Sequence, residues 1–158
     1  MNTCDIVTKL SELKLTVATA ESCTGGLIAS TIVDVPGASD CFNEGYVTYS
    51  NEAKMKNLGV FEETLIAHGA VSPETAEQMA NGVKKRANAD FGLSSTGIAG
   101  PGGGSPLKPV GLVYIACAYK DKCEVRKLNL SGDRTSVRTQ AVSEALKLLS
   151  QCLLKYEE

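Results

Sequence analysis

Stretches with helical spacing of apolar residues alternate with short β-branched runs along the whole chain, and only a layered α/β arrangement buries both kinds of face. Ile6, Val7, Leu10 and Leu13 recur at helical spacing, and Leu15–Ala20 then reads as a strand. A turn over Glu21–Gly26 leads into a short apolar helix over Leu27–Val33, which Pro36-Gly37 ends. Gly45–Ser50 is a second strand, and Asn51 caps a helix running to Leu58. Ser72-Pro73-Glu74 opens a longer helix with Ala76, Met79, Ala80 and Val83 as its buried stripe. Leu93–Thr96 is a third strand, followed by a glycine- and proline-rich loop from Gly97 to Pro109. Val110–Tyr119 and Cys123–Leu130 form a hairpin, the single antiparallel pair expected. A closing helix buries Val137, Ala141, Ala145, Leu146 and Leu149. The reading is one domain over residues 1–158, a three-layer α/β/α sandwich with a mixed, mostly parallel sheet.

Several function classes fall away. With 16 Lys+Arg against 18 Asp+Glu the net charge is -2, and the sole basic run, Lys84-Lys85-Arg86, ends a helix, where cations suit the dipole. A duplex-binding surface needs clustered cations, so no nucleic-acid partner is expected. No apolar stretch approaches the roughly 20 residues of a membrane span, and no secretory signal opens the chain, so a cytoplasmic location is expected. The six cysteines show no CxxC pair and no ligand spacing, and the one histidine, His68, cannot build a multi-imidazole centre. No metal and no cofactor are expected.

In an open α/β sheet ligands gather at the carboxyl ends of strands. Three junctions there are rich in Gly, Ser and Thr. At Glu21–Gly26, paired glycines at a helix start can offer backbone N–H groups to an anion, with Thr24 adding a hydroxyl; read plainly, this is a capped helix with a tight entry turn. Ser94–Ser105 has the glycine density of an anion-cradling concavity, or of a loop tip. From Pro36 to Lys54, a lysine at the start of a helix has reason to lose its proton, and a neutral amine can deprotonate a serine such as Ser39. The plain alternative makes Ser39 a turn residue and Lys54 a solvated side chain. Cys23 near a helix start is either a thiolate nucleophile or a small buried residue. His68 is read as packing or capping a helix end.

Taken in order, Ala20–Gly26, Gly45–Lys54, His68–Ser72, Thr96–Gly104, Lys108–Gly111 and Gly132–Arg134 resemble the CinA C-terminal domain family, the nicotinamide mononucleotide amidohydrolases. The resemblance covers nearly the whole chain. It implies hydrolysis of the carboxamide of nicotinamide mononucleotide to nicotinic acid mononucleotide and ammonia, a step of pyridine-nucleotide salvage. It implies a serine nucleophile with a lysine base and a supporting tyrosine, which map here to Ser39, Lys54 and Tyr49. The expected substrate-binding set is Glu21, Ser22, Thr24, Gly25, Gly26, Thr96, Gly97, Gly100 and Arg134. A homodimer is implied as well. Many members carry a further N-terminal domain that this sequence lacks, so the chain resembles the stand-alone form. Leu107 stands where the family often has an acid. Two alternatives stay open: a non-catalytic nucleotide-binding or partner-docking module, and an amidase built on Cys23.

Overall fold

The structure is a computed structural model that describes all residues from Met1 to Glu158. Its strands are β1 (Val17–Glu21), β2 (Phe42–Val47), β3 (Phe91–Gly97), β4 (Leu112–Tyr119) and β5 (Lys122–Asn129). They form one sheet in the order β2-β1-β3-β4-β5. The helices are α1 (Thr3–Leu13), α2 (Leu27–Val33), α3 (Asn51–Leu58), α4 (Glu62–His68), α5 (Pro73–Arg86) and α6 (Arg134–Tyr156), with a single 3₁₀ turn at Ala38–Asp40. The three-layer sandwich with a mixed sheet is thus observed, with β4 alone running against the other four strands.

Alternation along the central strands separates the two outer layers. Val17 of β1, Phe91 and Leu93 of β3 and Val113, Ile115 and Cys117 of β4 point into the larger core, which α1, α2 and α6 cover. Ala18, Ala20, Ala116 and Ala118 point the other way, beneath α3, α4 and α5. Small residues on that side let α5 come very close. A Cβ on Gly92 would lie 2.1 Å from the Ala80 carbonyl oxygen, so only glycine fits. Phe91, fully buried, stacks at 5.9 Å on Tyr119 and packs at a tilt, 5.1 Å between centroids, against Tyr156, tying the last turn of α6 to the sheet.

Three elements differ from the sequence reading. A second antiparallel ladder, β3–β4, joins the expected hairpin. Its cause is the loop between them, which holds no crossover helix, so the returning strand must run antiparallel. β2 begins three residues earlier than expected and stops at Val47, leaving Tyr49 in a loop. Helix α4, which the sequence reading left out, fills the gap between α3 and α5 with Leu65 as its only buried residue. No helix is long and apolar enough to cross a membrane.

Candidate active site

The residues that matter gather where β1, β2 and β3 end. β1 runs buried on both faces to Glu21, and the next residue, Ser22, continues the Ala18–Ala20 alternation toward α3. From α3, Lys54 reaches back: its Nζ donates to Ser22 Oγ at 3.0 Å and to the Thr48 carbonyl at 2.7 Å. Ser50 caps α3 by accepting from Ala53 N–H at 3.0 Å, which fixes the turn that presents the lysine. Lys54 is 1% exposed and has no carboxylate partner. Burial therefore disfavours its charged form and lowers its pKa from 10.5 to about 8. The sequence reading blamed the helix N-terminus; the main cause is desolvation.

The turn after Ser22 is held from both sides. The Glu21 carboxylate, 1% exposed, accepts from Ile28 N–H at 2.8 Å, from Ala29 N–H at 3.1 Å and from Thr24 Oγ1 at 2.6 Å. A carboxylate already occupies the start of α2, so that helix end is closed to a phosphate. Thr24, fully buried, also shares a 2.6 Å hydrogen bond with Ser95 Oγ. The Glu21 carboxylate and the Thr24 hydroxyl therefore hold the turn. On the α6 side, Arg138 donates from Nε to the Cys23 carbonyl at 3.0 Å and from Nη2 to the Thr24 carbonyl at 2.9 Å. Gly25 has φ +58°, and a Cβ there would approach Arg138 Nη2 to 3.3 Å, so glycine serves both the turn and the clamp. Gly26 is the N-cap of α2 at φ 99°.

Arg134 joins the remaining pieces. It donates to the Gly100 carbonyl at 2.8 Å and to Tyr49 Oη at 3.1 Å, and pairs with no carboxylate. Tyr49 is 64% exposed beside it. The mouth of the site thus carries an exposed, uncompensated cation, suited to an anionic group. The glycine-rich loop is tethered from its other end by Lys108 Nζ, which donates to the His68 carbonyl at the end of α4. That loop lines a cavity of about 400 Å³ bounded by Pro101–Pro106, Pro109 and Val110. The other sizeable cavity, about 440 Å³, lies away from the site between α1, α2 and α6.

Other expected binding residues are committed to the fold. Thr96 Oγ1 donates to the Ala70 carbonyl at 2.8 Å. Gly97 is kept small by β4, because a Cβ would meet Val113 Cγ2 at 2.5 Å. The expected Ser39–Lys54 pair does not form. Ser39 lies in the 3₁₀ turn that enters β2, where the neighbouring Cys41 carbonyl accepts from Val17 N–H at the start of β1. Lys54 lies past the far end of β2, about 20 Å away along a six-residue strand. Ser22 holds the place that Ser39 was given. Cys23 is 6% exposed, and burial pushes its thiol up to about 11, away from the thiolate. His68 ends α4, with Nδ1 3.7 Å from Glu74. No three side chains among His, Cys, Asp and Glu cluster with metal-ligand geometry. Arg138 was missed altogether; its signal was position, one helical turn after Arg134 on the same face of α6.

The model of the CinA C-terminal domain matches residues 3–153. A protein of Caldanaerobacter subterraneus whose name refers to competence damage is 59% identical over 150 residues, covering 94% of this chain and 36% of that protein. A CinA-like protein of Kosmotoga olearia is 55% identical over 149 residues, with the same coverage of each. The chain thus spans about a third of the length of these relatives. Among solved structures, the competence/damage inducible protein CihA of Agrobacterium tumefaciens superposes with a TM-score of 0.93 at 45% identity, over 94% of this chain and 92% of that one. A CinA superfamily protein of Escherichia coli gives 0.91 at 36% identity, over 95% and 87%.

Proposed function

The chain belongs to the CinA C-terminal domain family, and on that premise we propose that it is an amidohydrolase whose nucleophile is Ser22 and whose general base is Lys54. The observation that carries this reading is the 3.0 Å contact between Ser22 Oγ and a buried lysine Nζ whose only other acceptor is a carbonyl. An amine with a pKa of about 8 is neutral in roughly a tenth of molecules at pH 7 and can accept the serine proton. The substrate we propose is nicotinamide mononucleotide, which the sequence resemblance implies and the exposed Arg134 cation suits.

Ser22 Oγ attacks the carboxamide carbon while its proton passes to Lys54 Nζ. The tetrahedral intermediate then breaks its C–N bond, and the Lys54 ammonium gives that proton to the departing amine, which leaves as ammonia. Water adds to the acyl ester with Lys54 again as base, and Ser22 leaves to regenerate the starting state and the free acid. Arg134, with Tyr49 beside it, holds the phosphate and so positions the amide over Ser22; such positioning is worth several kcal/mol.

The test is ammonia release from nicotinamide mononucleotide by the wild type, Ser22→Ala and Lys54→Ala, with nicotinamide and its riboside as controls. Turnover in the wild type and loss in both variants is the expected result. Full activity in Ser22→Ala would overturn the assignment, and binding without release would make the protein a non-catalytic nucleotide-binding module. The Cys23 amidase is disfavoured, because burial holds that residue as a thiol.

A further inference from the structure

Resting on the Ser22–Lys54 reading, the geometry points to the main-chain N–H groups of Thr24 and Cys23 as the oxyanion donors, with Arg138 as the residue that positions them. Attack by Ser22 moves a full negative charge onto the former carboxamide oxygen, and that charge needs fixed donors about 2.7–3.1 Å away. Lys54 is occupied with the serine proton and the Thr48 carbonyl. Donors must come from elsewhere.

Most N–H groups of the turn after β1 are already spent. Ser22 N–H donates to the Ser95 carbonyl, Gly25 N–H to the Ser22 carbonyl and Leu27 N–H to the Thr24 carbonyl. Ile28 and Ala29 N–H donate to Glu21. Those of Cys23, Thr24 and Gly26 have no backbone or side-chain oxygen acceptor in the fold; Gly26 is partly exposed, whereas Cys23 and Thr24 are only 6% and 0% exposed. Buried backbone donors without a partner are rare, and two in succession beside a nucleophile suit an anionic oxygen that is present only during reaction.

Their direction follows from peptide planarity. In a trans peptide the N–H of Thr24 is antiparallel to the C=O of Cys23. Arg138 holds that carbonyl, and the next one, from the face of the sheet that α6 covers. Ser22 and Lys54 lie on the opposite side, with α3. The Thr24 N–H is therefore turned toward Ser22. Arg138 touches no reacting atom; it keeps the peptide plane from rotating, and Gly25 leaves room for it to do so.

Semisynthesis tests the donor directly. Joining a synthetic 1–40 segment to 41–158 at Cys41 allows the residue-24 amide to become an ester, which removes the N–H and keeps the threonine side chain. The expected result is a fall in kcat for ammonia release of about 100-fold. KM should change by less than about threefold, and the rise of kcat with pH should stay centred near 8. Arg138→Gln should show the same split, with partial recovery in Arg138→Lys. Wild-type kcat in the ester protein overturns the hole, and an Arg138→Gln loss confined to Tm or KM overturns the positioning role. Failure of the underlying reading is separate: it appears as an inert wild type or an active Ser22→Ala.

Discussion

Lys54 is the one fully buried lysine, and that burial bears on the stability of the molecule as well as on the proposed chemistry. Its folded pKa of about 8 lies below its ordinary 10.5, so between these values the unfolded chain binds a proton that the folded protein does not. Stability must therefore rise with pH across that window, relative to a variant lacking the group. Urea unfolding of the wild type and Lys54→Met from pH 7 to 10.5 should show the difference growing in favour of the wild type, by about 3 kcal/mol in all. A flat difference would mean that the lysine is not desolvated. Ser39→Ala should leave ammonia release within about twofold of wild type, because an exposed turn at the opposite end of β2 has no route to the chemistry. The sequence reading singles out Lys54 as a candidate base but pairs it with Ser39, whereas Lys54 Nζ contacts Ser22 Oγ. Chain direction alone argued otherwise. A residue that follows a helix and enters a strand lies at the amino end of a parallel sheet, whereas Ser22 leaves a strand at the carboxyl end.

At the scale of elements, the entry of α2 supports the site through Glu21. Its carboxylate satisfies two helix N–H groups and the Thr24 hydroxyl while buried, so Glu21→Gln gives up a charge-assisted acceptor. The expected cost is about 1–3 kcal/mol in urea unfolding, with reduced kcat because the turn carrying Ser22 loosens. An unchanged midpoint would show that α2 does not need this cap. Close packing of α5 on β3 gives a second test: Gly92→Ala should cost about 1–3 kcal/mol or more, since its Cβ has no place beside the Ala80 carbonyl. The amphipathic helices α1, α5 and α6 were legible because their apolar stripes recur at helical spacing. α4 was not, because one buried leucine in seven residues makes no stripe. The start of β2 was hidden for a different reason. Phe42 pairs with Val17 across the sheet, a contact that no local pattern records.

Across the whole molecule, one end of the sheet collects what the proposed chemistry needs: the serine that follows β1, a lysine from α3, and Tyr49 and Arg134 at the mouth. All of these lie within the residues that match the family, so the chain expressed alone should be sufficient for turnover, although it spans only a third of its longer relatives. The alternating pattern made the layers legible, and the glycine-rich junctions made the end of the sheet legible. The placing of Arg134 and Arg138 required knowing where α6 crosses that end, which depends on long-range packing. The most direct measurement is kcat for ammonia release from nicotinamide mononucleotide between pH 6 and 10. Wild-type kcat should rise with pH and level off above about 8 as Lys54 loses its proton, while Ser22→Ala stays at background throughout. A rate that is flat over this range, or that survives the loss of Ser22, would contradict the assignment of this pair.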